Sequence, residues 1–177
     1  MKRSVKTTAT ALALVGVLSI GGIIAYLTDG DKADNELVVG SNYIEIVEEF
    51  EPPSELVPGM EIKKNVKVEN TGLSDCYVRI KAVFNNSHME QYCEIDWNDT
   101  DWEYSSMDGY WYYPEILEDG DVTPSLMTKV TVSSYAPEEK LIPFEIIVYA
   151  ESVESTQAES YSDYAQAWEN YQKNKVD

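Results

Sequence analysis

An all-β fold, an antiparallel sandwich or barrel, is what this sequence predicts, and three observations predict it. Between residues 37 and 150 the apolar side chains mostly alternate with polar ones, the period of a half-buried strand. Turn signals interrupt these runs at short intervals. Strand and helix patterns never alternate along the chain, which argues against a parallel α/β sheet.

The strands are justified one at a time. Val66 and Val68 alternate with Lys67 and Glu69, Val78, Ile80 and Ala82 with Arg79 and Lys81, and Val130 and Val132 with Thr131 and Ser133. Each pattern puts one apolar face on a core and one polar face in water. Residues 144–150 are apolar on both faces apart from Glu145, as in a central strand. The turns fall at Glu51-Pro52-Pro53-Ser54, Pro58-Gly59, Asn70-Thr71-Gly72, Asn85-Asn86-Ser87, Asp108-Gly109, Asp119-Gly120-Asp121 and Ala136-Pro137. The C-terminus changes period. Tyr161, Tyr164, Ala165, Trp168 and Tyr171 recur at helical spacing, and Ser160 with Asp163 forms a weak variant of a capping box. A short helix is expected there, with a frayed tail at residues 173–177.

The N-terminus has a different character. Lys2, Arg3 and Lys6 are the only charges before Asp29, and residues 9–27 form an unbroken weakly polar to apolar run. A basic start and an apolar centre ending near small residues are the marks of a secretory signal. The alternative is a retained anchor, because the run is close to the roughly 18–20 residues that span a bilayer. Gly16, Ser19, Gly21 and Gly22 weaken it as a permanent helix. Two cut sites fit: after Ala25, with Ile23 at the third position back, or after Gly21, with Ser19 there. The domain expectation is a signal segment at 1–25, a β domain at 26–158, and the helix with its tail at 159–177.

Charge excludes some partners. The chain holds 13 basic and 32 acidic residues, a net charge of −19. Loss of Lys2, Arg3 and Lys6 with the signal leaves 10 against 32, or −22 over 152 residues. That balance argues against nucleic acid and anionic lipid, and favours solubility or a cationic partner. A domain of this size buries about 70% of its unfolded surface and needs no staples. Cys76 and Cys93 are the only cysteines; export permits a disulfide without demanding one. In a simple hairpin around residues 85–90 the two would be about 20 Å apart at roughly 3.3 Å per residue. A different pairing would bring them together, so the bond stays open.

Nothing in the chain reads as a catalytic centre. There is one histidine, His88, beside Asn85, Asn86 and Ser87 in what reads as a hairpin tip, and there is no HExxH, CxxC, GxSxG or Gly-rich phosphate loop. No catalytic residue, metal ligand or cofactor is expected. Asp29, Asp31, Asp34 and Glu36 lack the glycine and spacing of an EF-hand loop, Asp96, Asp99, Asp101 and Glu103 form a second acidic loop, and calcium at either is the minority reading. The aromatic cluster Trp97, Trp102, Tyr104 and Tyr110 to Tyr113 suits packing first and sugar stacking second. Trp97, Trp102, Trp111 and Tyr112 are its candidate ligand or interface residues. The strand from Tyr110 to Tyr113 needs cover on both faces. Lys63, Lys64, Lys67, Lys81 and Lys129 fall in predicted strands and are expected to face solvent; one buried beside an asparagine and an acid would suit an isopeptide cross-link.

These segments also occur in a recognisable series. Gly21-Gly22-Ile23-Ile24-Ala25-Tyr26-Leu27-Thr28-Asp29 is followed by Asn35-Glu36-Leu37-Val38-Val39-Gly40, Leu56-Val57-Pro58-Gly59, Val66-Lys67-Val68-Glu69-Asn70-Thr71-Gly72 and Tyr77-Val78-Arg79-Ile80. Then come Gly109-Tyr110-Trp111-Tyr112-Tyr113, residues 117–123, and Ala150-Glu151-Ser152-Val153 leading through Gln157-Ala158 to Ala167-Trp168. The series resembles the SipW-dependent secreted proteins of Gram-positive bacteria, the TasA, camelysin and BsaA-like biofilm matrix group. Glu154-Ser155-Thr156 departs from it as an insertion, and there is no LPxTG sorting motif.

The resemblance implies an antiparallel jelly-roll-like β-sandwich with an N-terminal signal helix and a short C-terminal helix. It implies release by a signal peptidase of the SipW type, and it selects the cut between Ala25 and Tyr26. It also implies a non-enzymatic subunit that self-associates into extracellular fibres of a biofilm matrix and meets the membrane only before cleavage. Sandwich edges are templates for strand addition. The stretch from Asn35 to Val47 is the expected donor, with Leu37, Val39, Tyr43, Ile44 and Ile46 as its apolar contacts. A camelysin-like peptidase and a surface carbohydrate-binding module are the alternatives.

Overall fold

The computed structural model describes residues 43–155 and 163–175. The signal segment 1–25 and the start of the expected donor, including Leu37 and Val39, lie outside the described residues. Eight strands are present: β1 (Ile44–Phe50), β2 (Glu61–Asn70), β3 (Cys76–Phe84), β4 (Cys93–Ile95), β5 (Glu103–Ser105), β6 (Tyr110–Tyr112), β7 (Met127–Val132) and β8 (Ile146–Glu154). Two helices join them, α1 (Ser87–Glu90) and α2 (Tyr164–Lys175).

The strands form two four-stranded antiparallel sheets, ordered β1-β2-β7-β4 and β5-β6-β3-β8. Their register follows from period two. On β2 the residues Ile62, Lys64, Val66, Val68 and Asn70 are all buried, while their odd-numbered neighbours are not. One core draws on both sheets: Ile44, Val66, Val68 and Met127 from the first, Cys76, Val78, Ile80, Trp111, Val148 and Ala150 from the second. A fully buried side chain of this size contributes about 1.5–3 kcal/mol, so this shared core is the main source of stability.

The chain changes sheet after β6. Tyr113 N–H donates to the Val78 carbonyl at 3.1 Å and Leu117 bridges Cys76, both along the second sheet. Val122 then bridges Glu69, and the Thr123 and Leu126 N–H groups donate to Val68 and Val66, along the first. Between them Gly120 adopts φ +79°, a conformation that a side chain would strain. The fully buried Asn70 ties this crossing to the β2–β3 turn. Its amide donates to the Ser74 and Leu117 carbonyls at 2.9 and 3.0 Å, and its oxygen accepts from Gly72 N–H at 3.0 Å.

Four sequence expectations change here. Residues 85–90 are no hairpin tip: Asn86 accepts from His88 N–H and caps the single turn α1, whose Met89 is buried. The strands flanking it do not pair with each other, since β3 joins β6 and β8 while β4 joins β7 in the other sheet. The apolar run at 144–150 does not make a central strand; β8 is an edge strand paired with β3 from Cys76↔Glu154 to Phe84↔Ile146. On its second face Val153 packs against α2, while Tyr149 is 39% exposed. That helix starts where the Asp163 carboxylate accepts from Gln166 N–H, and it continues through residues expected to fray. Ser160 lies outside the described residues.

Candidate functional site

The outer face of the second sheet is where α2 lies. Tyr77 of β3, Tyr112 of β6, Val153 of β8 and Ala167, Trp168 and Tyr171 of α2 form a second buried cluster. This explains the strand of aromatics at Tyr110 to Tyr113. Trp111 points into the shared core, while Tyr110 and Tyr112 point to α2.

Arg79 sits at the centre of that interface and is only 5% exposed. Sequence alternation put it on a solvent face. Its guanidinium carbon instead lies 4.1 Å from the Tyr110 ring centroid and 4.2 Å from that of Trp168. Its Nε donates to Glu151 at 2.8 Å and an Nη to the Tyr112 hydroxyl at 3.0 Å; the Tyr112 hydroxyl in turn donates to Asp108 at 2.5 Å. Burial alone would lower the guanidinium pKa. The hydrogen bonds to Glu151 and Tyr112 and the charge of Glu151 outweigh it, and the net shift is upward. The signal for this role is in the sequence: Arg79 is the only arginine after Arg3. A planar guanidinium stacks between rings where a lysine does not.

Three of the four candidate aromatics, Trp97, Trp102 and Trp111, pack in or against the shared core, and Tyr112 lies apart from them under α2. Trp102 is 1% exposed, with its indole N–H donating to the Pro124 carbonyl at 3.2 Å, and Trp111 and Tyr112 are buried. Trp97 is half-buried and stacks on Trp111 at 5.1 Å. Tyr104 also packs on Trp111, with ring centroids 5.0 Å apart, and is exposed. The buried rings therefore present no open face for a sugar to stack on.

Two charged side chains, the buried Lys64 and the exposed Asp96, fasten neighbouring segments. Lys64 is buried and pairs with Glu48 at 2.7 Å, beneath the Phe50 ring. The expectation of a solvent-facing lysine fails here, because Lys64 shares the buried face of β2 with Ile62, Val66 and Val68 and its charge is met by Glu48. In the second acidic stretch, Asp96 accepts from Thr128 and Lys129 N–H at 2.9 and 2.8 Å and from the Thr128 hydroxyl, fastening its loop to β7.

Other reactive groups are dispersed. His88 Nε2 lies 3.2 Å from the Lys140 carbonyl oxygen. Among the described residues no three His, Cys, Asp or Glu side chains gather as a metal site. Cys76 and Cys93 are free thiols, one in the shared core and the other beside Val132 on the far sheet. Burial pushes their pKa values to about 12 and about 11. Two open surface depressions, about 430 and 580 Å³, line the first sheet around Lys63 and Lys129 and around Cys93 and Tyr135.

No family model, curated protein or solved structure matches this chain. Among the described residues, the sheet edges differ in length. Edges β4 and β5 have three residues each, whereas β1 has seven and β8 nine. Among the described residues β1 pairs only with β2, and β8 only with β3. The two long edges lie beside each other on one flank. Of the expected donor contacts, Ile44 is buried opposite Asn70, Ile46 is half-buried opposite Val68, and Tyr43 is 51% exposed.

Proposed function

We propose that this chain is a secreted structural subunit of extracellular matrix or surface fibres. In this reading residues 1–25 direct export, a signal peptidase of the SipW type cuts between Ala25 and Tyr26, and the subunits self-associate without catalysing a reaction. The domain is a jelly-roll-like sandwich. Support for that comes from the strand order: β2-β7-β4 in one sheet and β8-β3-β6 in the other interleave as in a jelly roll, with β1 and β5 turned back as hairpins on β2 and β6.

The observation that carries the functional reading is the flank where the long strands β1 and β8 both end their sheets. An unpaired edge is a template for another strand, and main-chain hydrogen bonds supply the affinity. Because Ile44 onward is already paired with β2, the donor is the stretch before it, which includes Leu37, Val39 and Tyr43. The strongly negative mature chain keeps the free subunit soluble.

The test compares mature protein beginning at Tyr26 with the same protein lacking residues 26–40. Fibres by electron microscopy from the first, and a folded monomer by circular dichroism from the second, are expected. Equal fibres from both would overturn strand addition, and no fibres from the first would overturn the fibre role. Mass spectrometry of the secreted product is expected to find Tyr26 at its N-terminus; another start would overturn the cut site.

A further inference from the structure

We draw no further inference here: the strongest candidate, the flank where the outer edges of β1 and β8 lie side by side, belongs to the assembly surface already proposed, and nothing in the structure shows which segment covers it.

Discussion

The guanidinium of Arg79 is held between the rings of Tyr110 and Trp168, with Glu151 and Asp108 as its carboxylate partners. The arrangement joins four elements, β3, β6, β8 and α2, around one charge. Removing the charge would leave Glu151 and Asp108 without their cation and the two rings without their spacer. Arg79→Ala is expected to cost about 3–5 kcal/mol in urea unfolding, the range for breaking a buried pair. Arg79→Lys is expected to recover only part of this, since an ammonium restores charge but not the stacked plane. A full recovery by lysine would show that stacking contributes nothing.

Trp102 gives a direct test of packing against ligand binding. Its side chain is buried and its N–H is bonded to Pro124. Trp102→Ala is expected to destabilise the domain by about 3–5 kcal/mol. Normal stability with loss of glycan-array binding would reverse this assignment in favour of a carbohydrate module.

Acid sensitivity follows from two aspartates. Burial raises the Asp96 pKa, but bonds from the Thr128 hydroxyl and the Lys129 and Thr128 N–H groups outweigh it; Asp108 is likewise raised by burial and lowered further by Tyr112, Ser105 and Tyr110 N–H and by Arg79. Both folded values lie below the usual 3.8. Their contribution is therefore complete above the unfolded value and is lost as pH falls through the lowered folded one. Asp96→Asn and Asp108→Asn are expected to flatten the fall of Tm below about pH 4. An unchanged slope in both variants would contradict the assignment.

Tyr164 behaves in the opposite sense. Burial first, and then its hydrogen bond to Glu103, raise its pKa to about 12. A raised value stabilises the fold fully below the unfolded pKa near 10, and that gain disappears as pH rises through 12. Absorbance titration at alkaline pH is expected to show a late-ionising tyrosine that Tyr164→Phe removes.

The thiols make a kinetic prediction. Thiolate is the reactive form, and both cysteines are held far above neutral pH, Cys76 by burial and then the Asp75 charge, Cys93 by burial. Alkylation at pH 8 is expected to be slow in the native protein, with Cys93 reacting before Cys76, and fast after unfolding. A mass two units low in the native protein, restored by reductant, would instead reveal a disulfide.

Assembly can be probed at the edge itself. Ile147 and Tyr149 lie on β8 between Glu145 and Glu151. Lysines guard natural sheet edges against strand addition. The double variant Ile147→Lys, Tyr149→Lys is expected to weaken subunit addition by about tenfold, about 1.4 kcal/mol, with monomer stability nearly unchanged. Unaltered growth by light scattering would exclude the β8 edge as the acceptor.

Much of the architecture was legible locally. Alternation identified β2, β3 and β7 because one face of each meets a core; the same parity puts Lys64 on the buried face, against the expectation that its charge would keep it in solvent. The helical spacing of Tyr164, Trp168 and Tyr171 identified α2 because those side chains share one side of a helix. The candidate aromatics divide between two faces, Trp97, Trp102 and Trp111 at the shared core and Tyr112 under α2, and burial could not be read from their type, since tryptophan suits a core and a binding face equally.

What local pattern could not supply was pairing. The run at 144–150 reads the same whether it lies inside a sheet or at its edge, and only the pairing of β8 with β3 alone decides it. Likewise Arg79 alternates like any solvent-facing residue until Trp168 closes over it from 89 residues away in the chain. The sequence by itself determined the β character, the C-terminal helix and the expectation of export, because these depend on neighbours a few residues apart. The sheet order, the edge position of β8 and the burial of Arg79 were decided by tertiary structure, because each depends on contacts between segments that no local period connects.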